Sequence, residues 1–472
     1  MENRDENSNN FFKAKLAKIK NNLVLIGQLT KQLVKDDPRR IVHSFKVGLA
    51  IALVSLFYYF DPLYEGFGVN AMWGVLTVVV VFEYSVGATV GKSLNRVVST
   101  IIGGWLAVGD HRLCSYWGDD LEPVLLGFSV FLTAAVATFM RFYPIIKARY
   151  DYGMQIFILT FSLICVSGYR DDEVIDMAQR RISTILIGCC TAVVICVVIR
   201  PVWAGHDLHN VTASNLAKLG NFLQEFGVEY FKKSTDVPLL NDGKSFQSII
   251  DSKSSVDTLS NFARWEPWHG RFKYTHPWIQ YQIICGLTRV HACRAEALHN
   301  ILYCRTQAPN EVKAKFLEPC SKMSIESGKA LKELSFAIKE MTEPSKANAH
   351  IQNAKKSAQD LNELLKSNLW ENINLLDVTR VATVASLLNE VVTCTEEIAE
   401  AVQRLATLAK FTSIVDDNKV AVQDGNSKML NQLSSMKSRS STSYVIIVDG
   451  STPRSSNCED PPSLAMAQQD AE

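Results

Sequence analysis

The sequence predicts an all-α membrane protein with six transmembrane helices, a cytosolic helical bundle and a disordered C-terminal tail. Three observations support this fold class. Residues 41–200 are mostly apolar and fall into stretches of membrane-spanning length. The region that follows repeats apolar residues every three to four positions, which is typical of amphipathic helices. The end of the chain is rich in Ser, Asp, Gln and Pro, so it cannot bury enough apolar area to fold alone.

Four segments follow from this pattern. They are a cytosolic amphipathic N-terminal segment (1–40), a transmembrane domain (41–203), a cytosolic helical domain (204–414) and the tail (415–472). Lysine alternates with apolar residues in the N-terminal segment, which favours a helix against the inner leaflet or, equally well, a solvated helix. The 49 Lys and Arg balance 48 Asp and Glu, so bulk charge indicates no class of partner, and nothing points to nucleic acid.

Six apolar stretches have lengths at or near that needed to cross a bilayer. A hydrocarbon core about 30 Å thick needs roughly 20 residues of helix. The predicted spans are residues 41–60, 68–82, 87–108, 124–142, 152–167 and 177–199. The second and fifth spans are the shortest.

Charged residues between the spans predict their orientation, because cytosolic segments carry an excess of Lys and Arg. Basic residues precede the first span, join the fourth to the fifth and close the sixth: Lys31, Lys35, Arg39, Arg40, Arg141, Lys147, Arg149 and Arg200. The opposite loops are acidic. Both termini are therefore expected in the cytosol.

The third span, residues 87–108, carries two cations. Lys92 lies near one end and can reach the headgroups, but Arg96 is about 15 Å deep, near the bilayer midplane. A charge there costs on the order of 2.5–3.5 kcal/mol, so such a residue normally faces a bundle interior or a watery pathway. One helix face holds Lys92, Asn95, Arg96, Ser99 and Gly103. This positive face indicates a path for anions.

Three further charged residues of the transmembrane domain leave two interpretations open. Arg181 lies near the outer end of the sixth span and Arg141 near the inner end of the fourth, so each either faces a path or snorkels to the headgroups. Glu83, at the inner end of the second span, is placed to pair with a nearby cation and influence gating. A capping or interfacial role fits Glu83 equally well.

The residues from 204 onward predict about six helices in a bundle, one of them over residues 247–263. In the last of them, an apolar stripe favours core packing. The stripe consists of Val381, Val384, Leu387, Leu388, Val391 and Val392. Pairing of this helix with a second subunit is the alternative interpretation.

Motifs for enzymatic chemistry are missing from the sequence. It contains no Gly-rich phosphate loop, no GxSxG, no HExxH and no paired-cysteine metal site. The eleven cysteines form no CxxC pattern, so we expect reduced, structural thiols. We therefore expect no enzyme activity and no cofactor.

Five stretches resemble the plant aluminium-activated malate transporter family of anion channels. They are DDPRRIVHSFKVGLA (36–50), NAMWGVLTVVVVFEYSVGATVGKSLNR (70–96), MRFYPIIKARYDYGMQIFILTF (140–161), RPVWAGHDLH (200–209) and WEPWHGRF (265–272). The last matches the family's cytosolic signature, here Trp265, Glu266, Pro267 and His269. The sequence departs from the family at Trp268, where a second proline is usual, and at His206, where an acidic or amide residue is usual. Neither departure touches the positive face.

The resemblance implies a homodimer with six spans per subunit, in contact with membrane lipid, that passes malate and inorganic anions passively. It implies that Lys92, Arg96, Arg181 and Arg141 supply the positive charge of the pore. In some members external aluminium promotes opening, and outer-loop carboxylates would be its ligands because hard cations prefer oxygen donors. Glu65, Asp172 and Asp176 are the candidates here, and a solvated acidic loop is the alternative. Whether the protein holds a metal is therefore open.

Three questions stay open at this stage. The expected location is the plasma membrane, with the vacuolar membrane as the alternative. A coupled secondary organic-anion transporter is the rival to a channel, although inverted repeats with broken helices are not evident in the sequence. A membrane-anchored scaffold is a third hypothesis. It leaves unexplained the free-energy cost of placing Arg96 near the bilayer midplane.

Overall fold

The computed structural model describes residues 37–59, 71–118, 121–168, 174–230, 243–273, 275–304, 309–366 and 375–412, together with part of 15–35. These residues are almost entirely helical. Seven helices form an N-terminal helix group: α1 (Arg39–Tyr59), α2 (Ala71–Val81), α3 (Val86–Ser115), α4 (Glu122–Met140), α5 (Pro144–Arg149), α6 (Asp151–Gly168) and α7 (Val174–Val198). Seven more form a C-terminal bundle: α8 (Ala204–Glu229), α9 (Gly243–Ile250), α10 (Lys253–Ala263), α11 (Trp278–Leu302), α12 (Asn310–Glu340), α13 (Ser345–Lys366) and α14 (Leu375–Ala409).

Three segments of the described residues are long and apolar enough to cross a membrane: Arg39–Tyr59, Glu122–Met140 and Gln179–Val198. Shorter apolar helices occupy Met72–Val81 and Asp151–Ser167. A helix therefore covers each of the six predicted spans, whereas the number of crossings stays a prediction.

Helix α3 lies at the centre of the N-terminal helix group, packed against α6 and α7. Helices α1 and α2 pack on α7, and α4 packs on α6. Along α4, large apolar side chains point outward: Phe128, Phe131 and Phe139 are 62%, 69% and 62% exposed. An apolar exterior of this kind is typical of a surface that meets lipid.

The C-terminal bundle has one continuous apolar core. Helix α12 packs along α8 and α13, and α14 packs along α11 and α12. Val381, Val384, Leu388 and Val391 of the predicted stripe are fully buried in this core, so core packing describes them correctly. The sequence pattern predicted a single helix over 247–263, but α9 and α10 are separate. Ser252 Oγ donates to the carbonyl of Ile249 at 2.6 Å, and such a local bond favours a turn.

The N-terminal helix group and the C-terminal bundle both belong to the compact unit Met1–Ile414. One contact between them joins α3 to α10, so the helix that carries Lys92 and Arg96 is attached directly to the bundle. The predicted tail (415–472) lies outside the described residues. The four predicted segment boundaries stay predictions.

Candidate functional site

Helix α3 begins sharply at a capped N-terminus. Ser85 has extended backbone, and its hydroxyl accepts a hydrogen bond from the N–H of Ala88 at 3.3 Å. Serine is a preferred N-cap residue because its oxygen satisfies an N–H that has no partner within the helix. The backbone N–H of Val86 does not donate within the helix either, and bonds to the carbonyl of Val202 at 2.9 Å. The start of α3 is thereby fixed to the segment that leads into the bundle.

The two faces of α3 are arranged as in a membrane helix. Ser93, Arg96 and Thr100, spaced by three and four residues, are 4%, 3% and 3% exposed. On the opposite face Val98 and Ile102 are 51% and 54% exposed. Polar groups therefore point into the protein and apolar groups point out, the reverse of a helix on a water-soluble protein.

Arg96 is a buried cation that has no counter-charge among the described residues. Its Nη1 donates to the hydroxyl of Tyr152 on α6 at 3.2 Å, and its Nε has no hydrogen-bond partner. It forms no ion pair with any residue that the structure describes. An unpaired buried charge costs several kcal/mol unless a polar or charged group reaches it. The guanidinium is thus held where an anion or water would stabilise it.

A second arginine, Arg181 of α7, approaches the same place. Arg96, Thr100 and Arg181 line a cavity of about 30 Å³ together with Trp73. The guanidinium carbon of Arg181 lies 5.1 Å from the centre of the Trp73 ring, and its Nε also lacks a hydrogen-bond partner. The structure therefore brings together two of the predicted pore cations. A cavity of this size holds about one water molecule, so a dicarboxylate does not pass it in this conformation.

Lys92 is placed differently from Arg96. Its ammonium forms an ion pair with the carboxylate of Glu83, and both side chains are about a third exposed, at 34% and 36%. The ammonium also lies 5.6 Å from the ring centre of Tyr152, the residue that bonds to Arg96. The pairing expected for Glu83 is therefore present, and its role in gating stays a prediction.

Arg141 is held by a carboxylate. Its Nε and Nη2 donate to the two oxygens of Asp151 at 2.7 and 3.1 Å, a bidentate geometry. The pair closes the turn around the short helix α5, which the sequence pattern did not predict. Arg141 does not line the cavity of Arg96 and Arg181. Arg141 therefore does not join Arg96 and Arg181 at this site.

The WEPWHGRF signature forms the junction between the bundle and α3. Glu266 is 4% exposed and accepts from the N–H groups of Ala204 at 2.5 Å and Gly205 at 3.1 Å. It also accepts from the N–H of Gly87. One carboxylate therefore caps the N-termini of both α8 and α3, where the helix dipoles favour a negative group. Burial raises the pKa of Glu266 to about 7, although these N–H groups favour its ionised form.

The neighbours of Glu266 complete this junction. A Cβ at Gly91 would lie 2.9 Å from Cδ1 of Trp265, so that indole packs directly on the backbone of α3. His269 stacks on Trp203 with ring centres 3.8 Å apart, and its Nδ1 lies 2.9 Å from the carbonyl of Pro267. The WEPWHGRF signature thus connects the bundle to α3.

The two departures from the family pattern lie at the edge of this junction. Trp268 is 75% exposed and leaves the core packing undisturbed. His206 is exposed too, and its ring meets Phe272 edge-on with centres 6.4 Å apart. Both substitutions are accommodated at the surface.

The candidate aluminium ligands cannot be placed together. Glu65 and Asp172 lie outside the described residues, and Asp176 belongs to α7, where the description covers its backbone only. Within the part of the chain that is described, no three His, Cys, Asp or Glu side chains form a group suited to a metal ion. Aluminium sensing stays a prediction.

Sequence reasoning missed two residues near the charged face. Lys46 of α1 is 2% exposed, and its ammonium donates to the carbonyls of Arg200 at 2.9 Å and Cys196 at 3.5 Å. A lysine inside the apolar run IVHSFKVGLA was a visible signal of the same kind as Arg96. Tyr152, which bonds to Arg96, gave no signal because its role depends on a contact between α3 and α6.

Comparison with known proteins identifies the family. A family described as "Aluminium activated malate transporter" matches residues 31–374. Aluminum-activated malate transporter 2 of Arabidopsis thaliana is 46% identical over 435 residues, covering 91% of this chain and 86% of that protein. Aluminum-activated malate transporter 1 of Triticum aestivum is 44% identical over 400 residues, covering 82% of this chain and 86% of the relative. The chain belongs to the aluminium-activated malate transporter family of membrane proteins.

Proposed function

We propose that this protein is an anion channel that passes malate, and inorganic anions as well, down their electrochemical gradients. Family membership supports malate as a substrate. The single observation that carries the channel proposal is the state of Arg96, buried at 3% exposure with an unpartnered Nε and no counter-ion among the described residues. The buried guanidinium of Arg96 is therefore available to interact with a permeating anion.

The proposed mechanism is electrostatic. A dicarboxylate loses hydration when it enters a narrow path, and guanidinium groups replace the lost hydrogen bonds. Arg96 lies ten residues after Val86, about 15 Å along α3, and Arg181 approaches it from α7. Contacts with these two guanidinium groups lower the entry barrier and still permit release. Since the cavity of about 30 Å³ is too small for malate, opening requires the helices that line it to move apart.

We further propose that two copies assemble, each with six spans and with both termini in the cytosol of a plasma-membrane protein. Two features support a second copy. The outward face of α3 is apolar, with Trp105 76% exposed. Beside it, Trp105, Arg112 and Gln179 line an open cavity of about 640 Å³ between α3 and α7. A second copy over this cavity would convert it into an enclosed entrance.

Recording from oocytes that express the full chain tests the channel proposal. A passive anion channel gives malate currents whose reversal potential follows the malate gradient alone. A coupled carrier, the alternative, gives a reversal potential that shifts with an imposed proton or sodium gradient. Mass measurement of the purified protein in detergent tests the dimer independently. Currents that require a cation gradient would overturn the channel proposal and leave transport intact.

External aluminium as an activator is a separate part of the proposal, supported by the names of the relatives only. Adding aluminium to the outer solution should raise the malate current, and a triple Glu65→Gln, Asp172→Asn, Asp176→Asn variant should lose this response while retaining basal current. An aluminium response that survives in the triple variant would exclude these carboxylates as ligands.

A further inference from the structure

A second charged cavity lies apart from that of Arg96 and Arg181. It has a volume of about 390 Å³ and lies where the start of α1 and the end of α7 meet the first turn of α8. Such a volume is within the range of small-molecule sites, roughly 300–1,000 Å³. Its charged and polar lining consists of Arg39, His43, Lys46, Arg200, His206 and Asp207.

The positive charge of this cavity exceeds its negative charge. Asp207 pairs with Arg39 at 3.1 Å. Arg200 and Lys46 form no ion pair with the residues that the structure describes. Lys46 and Arg200 therefore line the cavity without a counter-charge among the described residues, next to the imidazoles of His43 and His206.

Lys46 is the strongest sign that an anion belongs here. It is 2% exposed, and its ammonium donates to two neutral carbonyls, of Arg200 at 2.9 Å and Cys196 at 3.5 Å. Both carbonyls lie at the C-terminal end of α7, where the helix dipole offsets part of the charge but supplies no counter-ion. A buried charge without a partner is costly, and an anion in the cavity would remove that cost.

The surroundings of the cavity favour an anion that carries acyl chains. Ile41 and Phe45, which are 52% and 62% exposed, do not line the cavity, but they give the same first turns of α1 an exposed apolar face. Basic pockets at the ends of membrane helices bind phosphorylated lipid headgroups, while the tails lie along apolar helix surfaces. A phosphate monoester suits the pocket because its three oxygens accept from ammonium, guanidinium and imidazole groups together.

We propose that this cavity binds the phosphate monoester of an anionic membrane lipid, such as a phosphorylated inositol lipid. The proposal rests on the cytosolic placement of the start of α1 and the end of α7 in the proposed function, and it is independent of the transported anion. Free phosphate monoesters share the headgroup chemistry and lack the chains, so the two sources are separable by experiment.

The test uses the purified full-length protein in a neutral detergent and measures binding through the midpoint of thermal unfolding. The probes are dioctanoyl phosphatidylinositol 4-phosphate, its deacylated headgroup, inorganic phosphate and dioctanoyl phosphatidylcholine. We expect saturable stabilisation by the phosphorylated lipid, about tenfold weaker binding of the headgroup, and none of phosphatidylcholine. An Arg200→Gln, His206→Gln variant should bind the lipid about tenfold more weakly or worse.

Lys147→Gln is the matched control, since Lys147 is an exposed cation on α5 that does not line the cavity, and it should bind as the wild type does. Both altered residues of the double variant are exposed, so it should fold, and its unfolding midpoint without lipid verifies this. Equal affinity for lipid and headgroup would overturn a lipid ligand in favour of a free phosphate monoester. Absence of saturable binding, or unchanged binding in the double variant, would refute the site. Because binding needs no current, a failed channel proposal would leave this result interpretable.

Discussion

The N-terminal end of α3 is held by partners that the chain itself supplies. Ser85 and Glu266 accept from its first N–H groups, Gly87 lies against Phe262, and Lys92 pairs with Glu83. In the middle of the same helix, Ser93 Oγ, Arg96 Nε and Thr100 Oγ1 are buried and lack partners.

This contrast separates two uses of polar groups on one helix. At the end, polar groups are satisfied and fix the helix to the bundle. In the middle they are kept unsatisfied, beside a cavity of about 30 Å³. Natural proteins leave buried polar groups without hydrogen-bond partners mainly at functional sites, where a ligand or substrate supplies the partner. We infer that the end anchors the helix and the middle meets the anion.

The largest expected effect on stability concerns packing at the N-terminal end and in the middle of α3. In Gly87→Ala the new Cβ would overlap the backbone carbonyl of Phe262, whereas in Gly104→Ala it would lie 3.6 Å from Cδ1 of Ile164, an ordinary contact. We expect Gly87→Ala to lower the free energy of unfolding by about 3 kcal/mol, because backbone cannot yield easily. Gly104→Ala should change it by less than about 1 kcal/mol. Thermal unfolding of the purified variants measures both, and equal effects would contradict a tight end and a loose middle.

The next effect is the pH dependence of the junction. The pKa of Glu266 is raised from 4.5 to about 7 by burial, with Asp207 nearby adding to the rise. Between these values the folded protein keeps a proton that the unfolded chain has released. The stability contributed by this group is therefore full below pH 4.5 and lost as pH rises through 7, by up to about 1.4 kcal/mol per pH unit. Glu266→Gln should remove this slope.

Glu326→Gln is the matched control for that experiment. Burial opposes ionisation of Glu326, but hydrogen bonds from Lys329, His350 and Asn353 lower its pKa to about 2. Its contribution is present above pH 4.5 and is lost as pH falls through 2, outside the window of Glu266. A slope between pH 4.5 and 7 that persists in Glu266→Gln would assign the dependence to another group.

The smallest effect is expected at the ion pair beside the junction. Glu83→Gln breaks a pair with Lys92 in which both side chains are about a third exposed, so the free energy of unfolding should fall by only about 0.5 kcal/mol. The freed ammonium should nevertheless shift the voltage at which malate current activates. Glu390→Gln breaks a comparable surface pair with Arg294 in the bundle and should leave the current unchanged. Identical current–voltage curves for wild type and Glu83→Gln would remove Glu83 from gating.

Much of this arrangement follows from local sequence. Arg96 was identified because depth within an apolar stretch depends only on counting residues along one helix. The helix positions were likewise predictable from hydropathy. The break between α9 and α10 was missed because apolar spacing continues across the polar pair Asp251 and Ser252.

Long-range contacts could not be predicted in this way. Glu266 caps α3 and α8 although it lies far from Gly87 and Ala204 in sequence. Arg141 and Arg181 look alike in the sequence, since each is an arginine near the end of an apolar stretch. Only the structure distinguishes them. Asp151 pairs with Arg141, whereas Arg181 faces the cavity of Arg96. The sequence alone shows where a charged residue lies along a helix. Whether that residue forms an ion pair depends on tertiary contacts.

The most direct test of the central claim compares one unpaired arginine with one paired arginine. Malate currents from Arg96→Gln and Arg141→Gln are recorded in oocytes and divided by the amount of protein at the cell surface. We predict a loss of about tenfold or more for Arg96→Gln, equivalent to about 1.4 kcal/mol in the barrier, because the anion loses its partner. Arg141→Gln should retain current within about twofold, since its partner is Asp151. An unchanged current in Arg96→Gln, or equal losses in both variants, would contradict the claim that the unpaired charge serves the permeating anion.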